Sequence, residues 1–387
     1  MRAGTGAERL APGAAAAQDA AEQHDGEPMR PLEFGWYLPS NGDTLSYAEG
    51  TDVVPAGTPM FDRVVAAAEA AGFEYMLVPV AVPCWEAWVT TAFMAGRSAS
   101  IRMLVAARPG YVNPVMLAKM VTTFDQLTGG RIAVNLIAGQ SEAENAADGI
   151  RYGKEDRYAL MAEEVAIMKA LWTARRPLDW DGAFHTLRGA RVIPPPFQQP
   201  HPRFYLGGGS AQAWAISARH ADVHLFWGDR PETVAGQIAE IRALARDHGR
   251  EERLGFGMRL QIICRETEAE AWEAADRLVR GVGEARSAAV RANVANSVAN
   301  QRVQALLAET GGLIAPNLWA GLARVRQGAG VAVVGDPAQC AAVLQRFIDV
   351  GCHSFCLSGY LHDEEAERFG RLVRPILAEQ NAGRMVA

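Results

Sequence analysis

A run of three glycines and a serine, Gly207–Ser210, separates a short apolar segment from a helical pattern. Glycines let the backbone approach a ligand with outward-pointing N–H groups, and the N-terminus of a helix favours an anion. Ser210 can cap that helix or bond a phosphate oxygen. An ordinary glycine-rich turn with a serine cap explains the same residues, although its position after an apolar segment favours phosphate. The sequence has no GxGxxG motif after a strand and no GxxxxGK[ST] motif, so Rossmann and P-loop nucleotide sites are disfavoured.

A second chemical signal is Arg259, which interrupts an otherwise apolar strand pattern. A buried arginine is costly unless it meets an anion. Gln261 is two residues away and therefore projects to the same face. Together with Arg326, Trp227 and Tyr360, these side chains predict a cationic pocket with aromatic walls, suited to a small anionic substrate. A structural ion pair with an Asp or Glu inside the fold is the alternative.

Other catalytic patterns are missing from the sequence. No GxSxG motif or Ser-His-Asp order supports a hydrolase. His220 and His224 span a predicted helix-to-strand junction, so a metal pair is not expected and no metal site is predicted. The five cysteines form no CxxC pairs, which disfavours a disulfide framework and favours a reducing, cytoplasmic compartment. Few acids and metal ligands among the candidates indicate that a cofactor does the difficult chemistry.

Composition bounds the class of protein that must position these residues. The chain has 387 residues, 49% of them apolar, and a formal charge of −6. That mild acidity argues against nucleic acid as a partner, and no apolar run approaches the ~18 residues that span a bilayer. Residues 1–30 lack hydrophobic periodicity and an apolar core, so we expect a disordered extension rather than a signal peptide. Met29 is a second candidate for the natural start.

Short apolar runs alternate with helical patterns from residue 33 onward, which predicts a parallel sheet. Eight such runs in βα order favour an α/β fold of the closed (β/α)8 TIM-barrel type, whose active site lies at the C-terminal strand ends. The expected strands are Phe34–Leu38, Tyr75–Pro79, Met103–Ala106, Ile132–Ile137, Phe204–Leu206, Val223–Phe226, Met258–Ile263 and Phe355–Leu357. The expected helices are Met60–Ala71, Pro114–Leu127, Arg157–Trp172, Ala211–Arg219, Pro231–His248 and Pro337–Val350.

Two connections between these strands are too long for simple βα units. They take about 70 residues after strand four and about 90 after strand seven, whereas one unit needs ~30. We therefore expect insertions after strands four and seven within a single domain, residues 31–380. Residues 286–304 have few large apolar anchors, which predicts a mobile segment in a lid insertion at about residues 280–330.

Several segments in this order resemble the bacterial luciferase-like flavin monooxygenases and, within them, the FMNH2-dependent alkanesulfonate monooxygenases. The resemblance covers roughly residues 33–376. It is carried by FGWYLPSNGD, CWEAW, VAARPGYVNPVMLAKM, DQLTGGRIAVNLIAGQS, DRYALMAEE, FYLGGGS, LFWGD, MRLQIICRE, PNLWAGLARVRQGAG and CLSGYLH.

This resemblance implies a two-component system. A separate NAD(P)H-dependent FMN reductase supplies FMNH2, and O2 is the co-substrate that oxygenates the carbon next to a sulfonate, so that sulfite leaves and an aldehyde remains. Family members usually form homodimers or homotetramers. By motif, the catalytic positions are Cys84, Trp227, Arg259, Gln261, Arg326, Tyr360, His362 and Asn41. The FMN-binding positions are Val80, Asn135, Gly139, Ser141, Lys154, Tyr158, Gly209 and Ser210.

Two positions depart from the family pattern, which has histidine where Asn41 and Gln261 stand. Both replacements remove a group that titrates near neutral pH but keep hydrogen bonding. A hydroxyl-bearing sulfonate such as a sulfosugar (sulfoquinovose-like) would suit two amides. Alternative functions are a monooxygenase of a sulfone or heterocycle, a deazaflavin-dependent dehydrogenase, and a flavin-binding barrel without turnover.

Overall fold

We describe residues 30–48, 52–139 and 141–385 of a computed structural model of the chain. The predicted N-terminal extension lies outside these residues, except for Arg30. Within the described ranges, eight parallel strands form a closed barrel. They are β1 (Glu33–Tyr37), β2 (Tyr75–Val78), β3 (Arg102–Ala107), β4 (Ile132–Leu136), β5 (Phe204–Gly207), β6 (Val223–Trp227), β7 (Gly255–Cys264) and β8 (Ser354–Ser358). Their order around the barrel is β6-β5-β4-β3-β2-β1-β8-β7, and β7 pairs with β6 to close it. The predicted (β/α)8 barrel is confirmed.

Helices surround this barrel, and all six expected helices are present within two or three residues of their predicted ends. The helices are α1 (Thr58–Ala70), α2 (Ala87–Ala95), α3 (Pro114–Thr128), α4 (Glu142–Ala147), α5 (Lys154–Thr173), α6 (Ala211–His220), α7 (Pro231–Arg246), α8 (Glu268–Val279), α9 (Glu284–Val294), α10 (Val298–Thr310), α11 (Pro337–Asp349), α12 (His362–Arg368) and α13 (Arg374–Gln380). Among the helices described, none has the length and apolarity needed to cross a membrane.

The inside of the barrel follows the two-residue period of its strands. In its lower part Tyr75 and Tyr205 are in ring contact, their centroids 5.5 Å apart, and the buried carboxylate of Glu33 accepts from Arg203 Nη1 at 2.9 Å. Gly35 makes room for this packing, because a Cβ there would lie 2.0 Å from the Tyr75 ring. Two residues further along their strands, Gly35 gives way to Tyr37 and Leu225 to Trp227. Aromatic side chains therefore also face the inside at the C-terminal end of the strands.

Both long connections hold additional structure. The connection after β4 contains α4, α5 and a hairpin of Leu178–Asp181 and Thr186–Ala190. The connection after β7 contains α8 to α10, a hairpin of Leu313–Ala315 and Leu318–Trp319, and the strand Ala332–Gly335. That last strand pairs in parallel with Gln261–Cys264, the part of β7 that extends above the barrel.

The segment that the sequence predicts to be mobile, residues 286–304, lies in α9 and α10 apart from the connection 295–297. Val290 and Val303 are buried apolar anchors within it, at most 7% exposed. We refer to residues 284–330 as the lid insertion. Its mobility stays a prediction, because helical packing of this kind is compatible with opening as a unit.

Glu164 of α5 is a buried carboxyl group outside the barrel. It is 4% exposed, accepts a hydrogen bond from the Gly110 backbone N–H at 3.2 Å, and lies 3.3 Å from His185 Nε2. Burial raises its pKa to about 7, while burial lowers the pKa of His185. A protonated Glu164 facing an unprotonated imidazole nitrogen satisfies both groups.

Glu164→Gln is expected to change how stability depends on pH. Because the folded pKa of about 7 exceeds the ordinary value of 4.5, the folded protein binds more protons between these values, and wild-type stability falls as pH rises through this window. The loss amounts to about 3 kcal/mol by pH 8. We expect the variant to match the wild type near pH 5 and to exceed it at pH 8 in urea unfolding. The exposed Glu240→Gln change is the control, and parallel pH profiles of wild type and Glu164→Gln would contradict the prediction.

Candidate active site

Arg259 lies on the inner wall of β7 and is 6% exposed. Its Nη1 donates hydrogen bonds to Leu260 O at 2.9 Å, Cys356 O at 3.3 Å and Ser358 Oγ at 2.9 Å. Among the described residues, Nε and Nη2 make no hydrogen bond and no carboxylate pairs with this guanidinium. The alternative of a structural ion pair therefore has no support in the described part of the chain, and two donors remain available for an anion.

Tyrosine rings and a second arginine surround Arg259. Its Cζ lies 4.8 Å from the centre of the Tyr37 ring. Burial lowers the pKa of Arg259, and the nearby charge of Arg326 lowers it further. Burial alone would also lower the pKa of Arg326, but the hydroxyls of Tyr360 and Tyr47 hold it above its ordinary value. Two neighbouring guanidinium groups that repel each other would both be stabilised by a bound anion.

Two more predicted residues, Tyr360 and His362, belong to this group of arginine and tyrosine side chains. The Tyr360 hydroxyl shares a hydrogen bond of 2.9 Å with that of Tyr47, and the Tyr360 ring lies 5.5 Å from His362. His362 is 4% exposed, and its Nδ1 lies 2.9 Å from Oδ2 of Asp43. The His362 backbone N–H donates to the same oxygen at 2.7 Å. Asp43 thus fixes His362 at the start of α12, beside the tyrosines.

Cys84 lies near the Ser40 hydroxyl, near Tyr37 and near the ion pair of Arg108 and Glu144. Burial raises the pKa of its thiol, so the side chain is neutral at physiological pH. A protonated thiol is a poor nucleophile. Cys84 therefore shapes the site as a small, weakly polar side chain.

The two amides that replace family histidines occupy different environments from the ones expected. Asn41 is exposed in the turn after β1, where Asp43 is the residue that points inward and is buried. Gln261 is completely buried, and both ends of its amide are engaged: Oε1 accepts from Ser358 Oγ at 2.6 Å and Nε2 donates to Ala329 O at 3.1 Å. The Gln261 amide is therefore engaged within the protein, and Asn41 is a surface residue of the turn.

A cavity of about 90 Å³ lies at the barrel mouth, above the Gly207–Ser210 turn. Ser210 caps α6 by accepting from the Ala213 N–H at 3.2 Å, and it donates to the Tyr158 hydroxyl at 3.3 Å. Gly208 has φ +146°, and a Cβ there would lie 2.9 Å from Ala213 Cβ. The cavity is also lined by Val80, Arg108, Gly139, Lys154, Arg157 and Trp227. The predicted phosphate turn, with Lys154, Tyr158, Gly209 and Ser210, is brought together around one space.

The lid insertion covers this cavity. Residues 296–299 form part of its lining, and Lys154 Nζ donates to Asn296 O at 3.4 Å. A Cβ at Gly209 would lie 3.4 Å from the Ala299 backbone nitrogen, so the turn and the insertion are in close contact. The insertion is also tied to the end of β6, where Arg302 Nε lies 3.8 Å from Asp229 Oδ2.

Two of the remaining FMN-binding predictions have structural roles. Ser141 caps α4 by accepting from the Glu144 N–H at 3.2 Å. Gly139 has φ +84°, and a Cβ there would meet Asn145 Oδ1 at 2.6 Å. Asn135 is 8% exposed on β4, opposite Tyr205 of β5. In the described ranges, no three His, Cys, Asp or Glu side chains are arranged to hold a metal ion.

Arg157 is a site residue that the sequence analysis missed. It is 2% exposed, its Nε donates to Ala138 O at 2.9 Å, and its Nη1 donates to Glu142 Oε2 at 2.9 Å. It therefore holds the loop after β4 beside the cavity above Gly207–Ser210, which we call the phosphate-sized cavity. A usable signal was present, because Leu160 and Met161 follow at i+3 and i+4 and mark the buried face of α5.

Solved structures share this barrel. A riboflavin lyase with modified FMN and riboflavin is 16% identical, with TM-score 0.78, and the match covers 92% of this chain and 93% of that one. EDTA monooxygenase from Chelativorans sp. BNC1 is 19% identical, with TM-score 0.70 and coverage of 92% and 96%. A long-chain alkane monooxygenase is 16% identical, with TM-score 0.69 and coverage of 91% and 92%. At these identities the likeness concerns the fold. The family model of luciferase-like monooxygenases matches residues 32–354, and the chain therefore belongs to that family.

Proposed function

We propose that the protein is an FMNH2-dependent monooxygenase that converts a small organosulfonate into sulfite and an aldehyde. The observation that carries this proposal is Arg259: a buried guanidinium near a second arginine, with two donor atoms, Nε and Nη2, that no described residue engages. A sulfonate offers three oxygens and one negative charge, which matches paired guanidinium groups.

The cavity above Gly207–Ser210 suits the phosphate of FMN. Its lining includes the start of α6, the hydroxyls of Ser210 and Tyr158, and the ammonium of Lys154. A helix N-terminus and a nearby cation both stabilise phosphate. When bound, FMNH2 supplies the electrons that activate O2. Trp227 lines this cavity and pairs in register with Arg259, so the cofactor cavity and the anion pocket adjoin.

The chain's own residues bind, orient and shield the substrate. Arg259 and Arg326 hold the sulfonate oxygens, and this charge also stabilises the sulfite that departs. The lid insertion excludes water from both pockets, because it covers the phosphate-sized cavity and carries Arg326. Water exclusion strengthens each of these electrostatic contacts.

We further propose that the substrate carries hydroxyl groups. The support is the cluster of Tyr37, Tyr47 and Tyr360 around the arginines, rather than the amides of Asn41 and Gln261. The Tyr37 hydroxyl makes no hydrogen bond to the described residues and lies near Arg326 and Cys84. A pocket built to pair with a hydroxyl discriminates against analogues that lack it.

Tyr37→Phe is expected to reduce the preference for 2-hydroxyethanesulfonate over ethanesulfonate, two substrates that differ by one hydroxyl. Loss of one hydrogen bond should lower kcat/KM for the hydroxylated sulfonate about 10-fold and leave the other within about 2-fold. Steady-state sulfite release measures both. The exposed Tyr152→Phe variant is the control, and equal losses on both substrates would contradict this role for Tyr37.

The proposed function is tested by measuring sulfite release with a generic NAD(P)H-dependent FMN reductase, O2, and alkyl, aryl and sugar sulfonates. Sulfite formed in proportion to sulfonate supports it. Oxygenation of sulfones or heterocycles with no sulfite would identify the related monooxygenase alternative. FMN binding with no turnover would identify a non-catalytic flavin-binding barrel. Tight binding of deazaflavin with no response to FMNH2 would identify a deazaflavin-dependent dehydrogenase. The separate reductase and a homodimer or homotetramer are part of the proposal, and light scattering measures the second.

A further inference from the structure

A continuous series of hydrogen bonds joins Arg259 to residues 323–330, the segment that carries Arg326. Arg259 Nη1 donates to Ser358 Oγ at 2.9 Å, and Ser358 Oγ donates to Gln261 Oε1 at 2.6 Å. Gln261 Nε2 then donates to Ala329 O at 3.1 Å, and Arg326 Nη1 donates to the same carbonyl at 3.2 Å. Donors and acceptors alternate correctly along the series, so the partners fix the orientation of the Gln261 amide.

The segment around Arg326 is attached on two sides. From the lid insertion, Gln304 Nε2 donates to Ala323 O at 2.8 Å and Arg286 Nε donates to Val325 O at 3.1 Å. From the barrel wall, Gln261 reaches Ala329 O. Gln261 is fully buried, and its side chain is a hydrogen-bonding attachment of the barrel wall to this segment.

We propose that Gln261 is a positioning residue that couples anion binding at Arg259 to the placement of Arg326. This inference rests on the proposed function, since the anion is the sulfonate group of the substrate. An anion on Nε and Nη2 fixes the Arg259 guanidinium, which fixes Ser358, the Gln261 amide and the Ala329 carbonyl in turn. Arg326 shares that carbonyl and is then held facing the anion. Coupling of this kind between two sites is reciprocal.

Hydrogen exchange of the full chain with FMN bound tests the coupling, with ethanesulfonate as the probe. In the wild type, ethanesulfonate should slow exchange of the backbone amides of residues 325–330 by about 5-fold or more. Gln261→Met keeps the side-chain length and removes both hydrogen bonds, so the slowing should fall below about 2-fold. Ser358→Ala should uncouple the segment in the same way, because it interrupts the series next to Arg259.

A matched control separates coupling from general loosening. Gln304→Met removes another hydrogen bond to the same segment but leaves the series from Arg259 intact. Basal exchange should rise in this variant, while the slowing by ethanesulfonate should persist. Equal loss of slowing in Gln304→Met and Gln261→Met would show that Gln261 acts only as a structural tie and would overturn the proposal.

Rescue by histidine adds a readout that a packing role would not move. A neutral imidazole donates from one nitrogen and accepts at the other, whereas the protonated ring has no acceptor for the Ser358 hydroxyl. Gln261→His should therefore restore the slowing at pH 8 and lose it at pH 5.5, while the wild type shows it at both. Absence of any pH effect in this variant would contradict the proposal.

A double-mutant cycle on affinity gives an independent outcome. Arg326→Met should weaken ethanesulfonate binding by about 10-fold in the wild type but by about 2-fold in Gln261→Met. Additive losses with intact binding would overturn the coupling and leave the proposed function standing. A wild type that binds neither ethanesulfonate nor 2-hydroxyethanesulfonate in calorimetry would overturn both.

Discussion

Arg259→Met is expected to lower kcat/KM for a sulfonate about 1000-fold. The variant loses two charge-assisted hydrogen bonds, which together contribute about 4 kcal/mol, and each 1.4 kcal/mol corresponds to a factor of ten. Methionine retains an apolar stem of similar length, and removing a buried charge that has no carboxylate partner lowers the desolvation cost. The variant should therefore fold, and its FMN affinity should stay within about 2-fold, because the phosphate-sized cavity does not include Arg259.

The control for this prediction is Arg371→Met, since Arg371 is 65% exposed and pairs with an equally exposed Glu266. Surface pairs of this kind contribute little, so its sulfite release should match the wild type. Unchanged turnover by Arg259→Met would show that the buried arginine does not bind the substrate. In that case the pocket would serve a neutral substrate, as in the sulfone and heterocycle alternatives.

Gly208→Ala is expected to weaken FMN binding about 100-fold. The added Cβ would lie 2.9 Å from Ala213 Cβ in the first turn of α6, so either the turn or the helix must move. The backbone is at φ +146°, which a side chain other than that of glycine adopts with strain. Both effects displace the N–H groups and the Ser210 hydroxyl that would hold the phosphate, at a cost of about 3 kcal/mol. Fluorescence titration with FMN measures the change.

Gly189→Ala is the matched control, because Gly189 also has positive φ, at +62°, and a Cβ there meets nothing within 4 Å. It lies in the hairpin after α5, outside the lining of the cavity. This variant also places a side chain at positive φ but causes no clash, so its FMN affinity should match the wild type. Wild-type affinity in Gly208→Ala would place the cofactor phosphate elsewhere.

The barrel could be predicted from sequence because each of its strands is an apolar run flanked by helical periodicity. The strand Ala332–Gly335 has the same composition and was not predicted. A buried parallel strand has the same sequence pattern whether it is part of a barrel or pairs with the end of a barrel strand that extends beyond the barrel. Its partner, the upper half of β7, is a matter of tertiary arrangement and leaves no local signal.

The site was predictable where chemistry conflicts with environment. Arg259 stands out because a charge in an apolar strand needs an explanation. Asn41 and Gln261 show the limit of such reasoning, since spacing gives the face on which a side chain lies but not its hydrogen-bond partners. After β1, the buried residue that points inward is Asp43. The amide of Gln261 is hydrogen-bonded to the Ser358 hydroxyl and the Ala329 carbonyl.

The double pairing of β7 has a consequence for how this enzyme could acquire new substrates. The strand belongs to the barrel through Gly257–Gln261 and to the returning strand Ala332–Gly335 through Gln261–Cys264. The excursion between them leaves this ladder at Cys264, which pairs with Gly335, and returns at Ala332, which pairs with Gln261, so the same strand pairing holds both of its ends. Evolution or a designer can therefore exchange parts of that excursion, and so change the molecules admitted, while the barrel strands stay the same and residues 296–299 keep their place in the lining of the cavity above Gly207–Ser210.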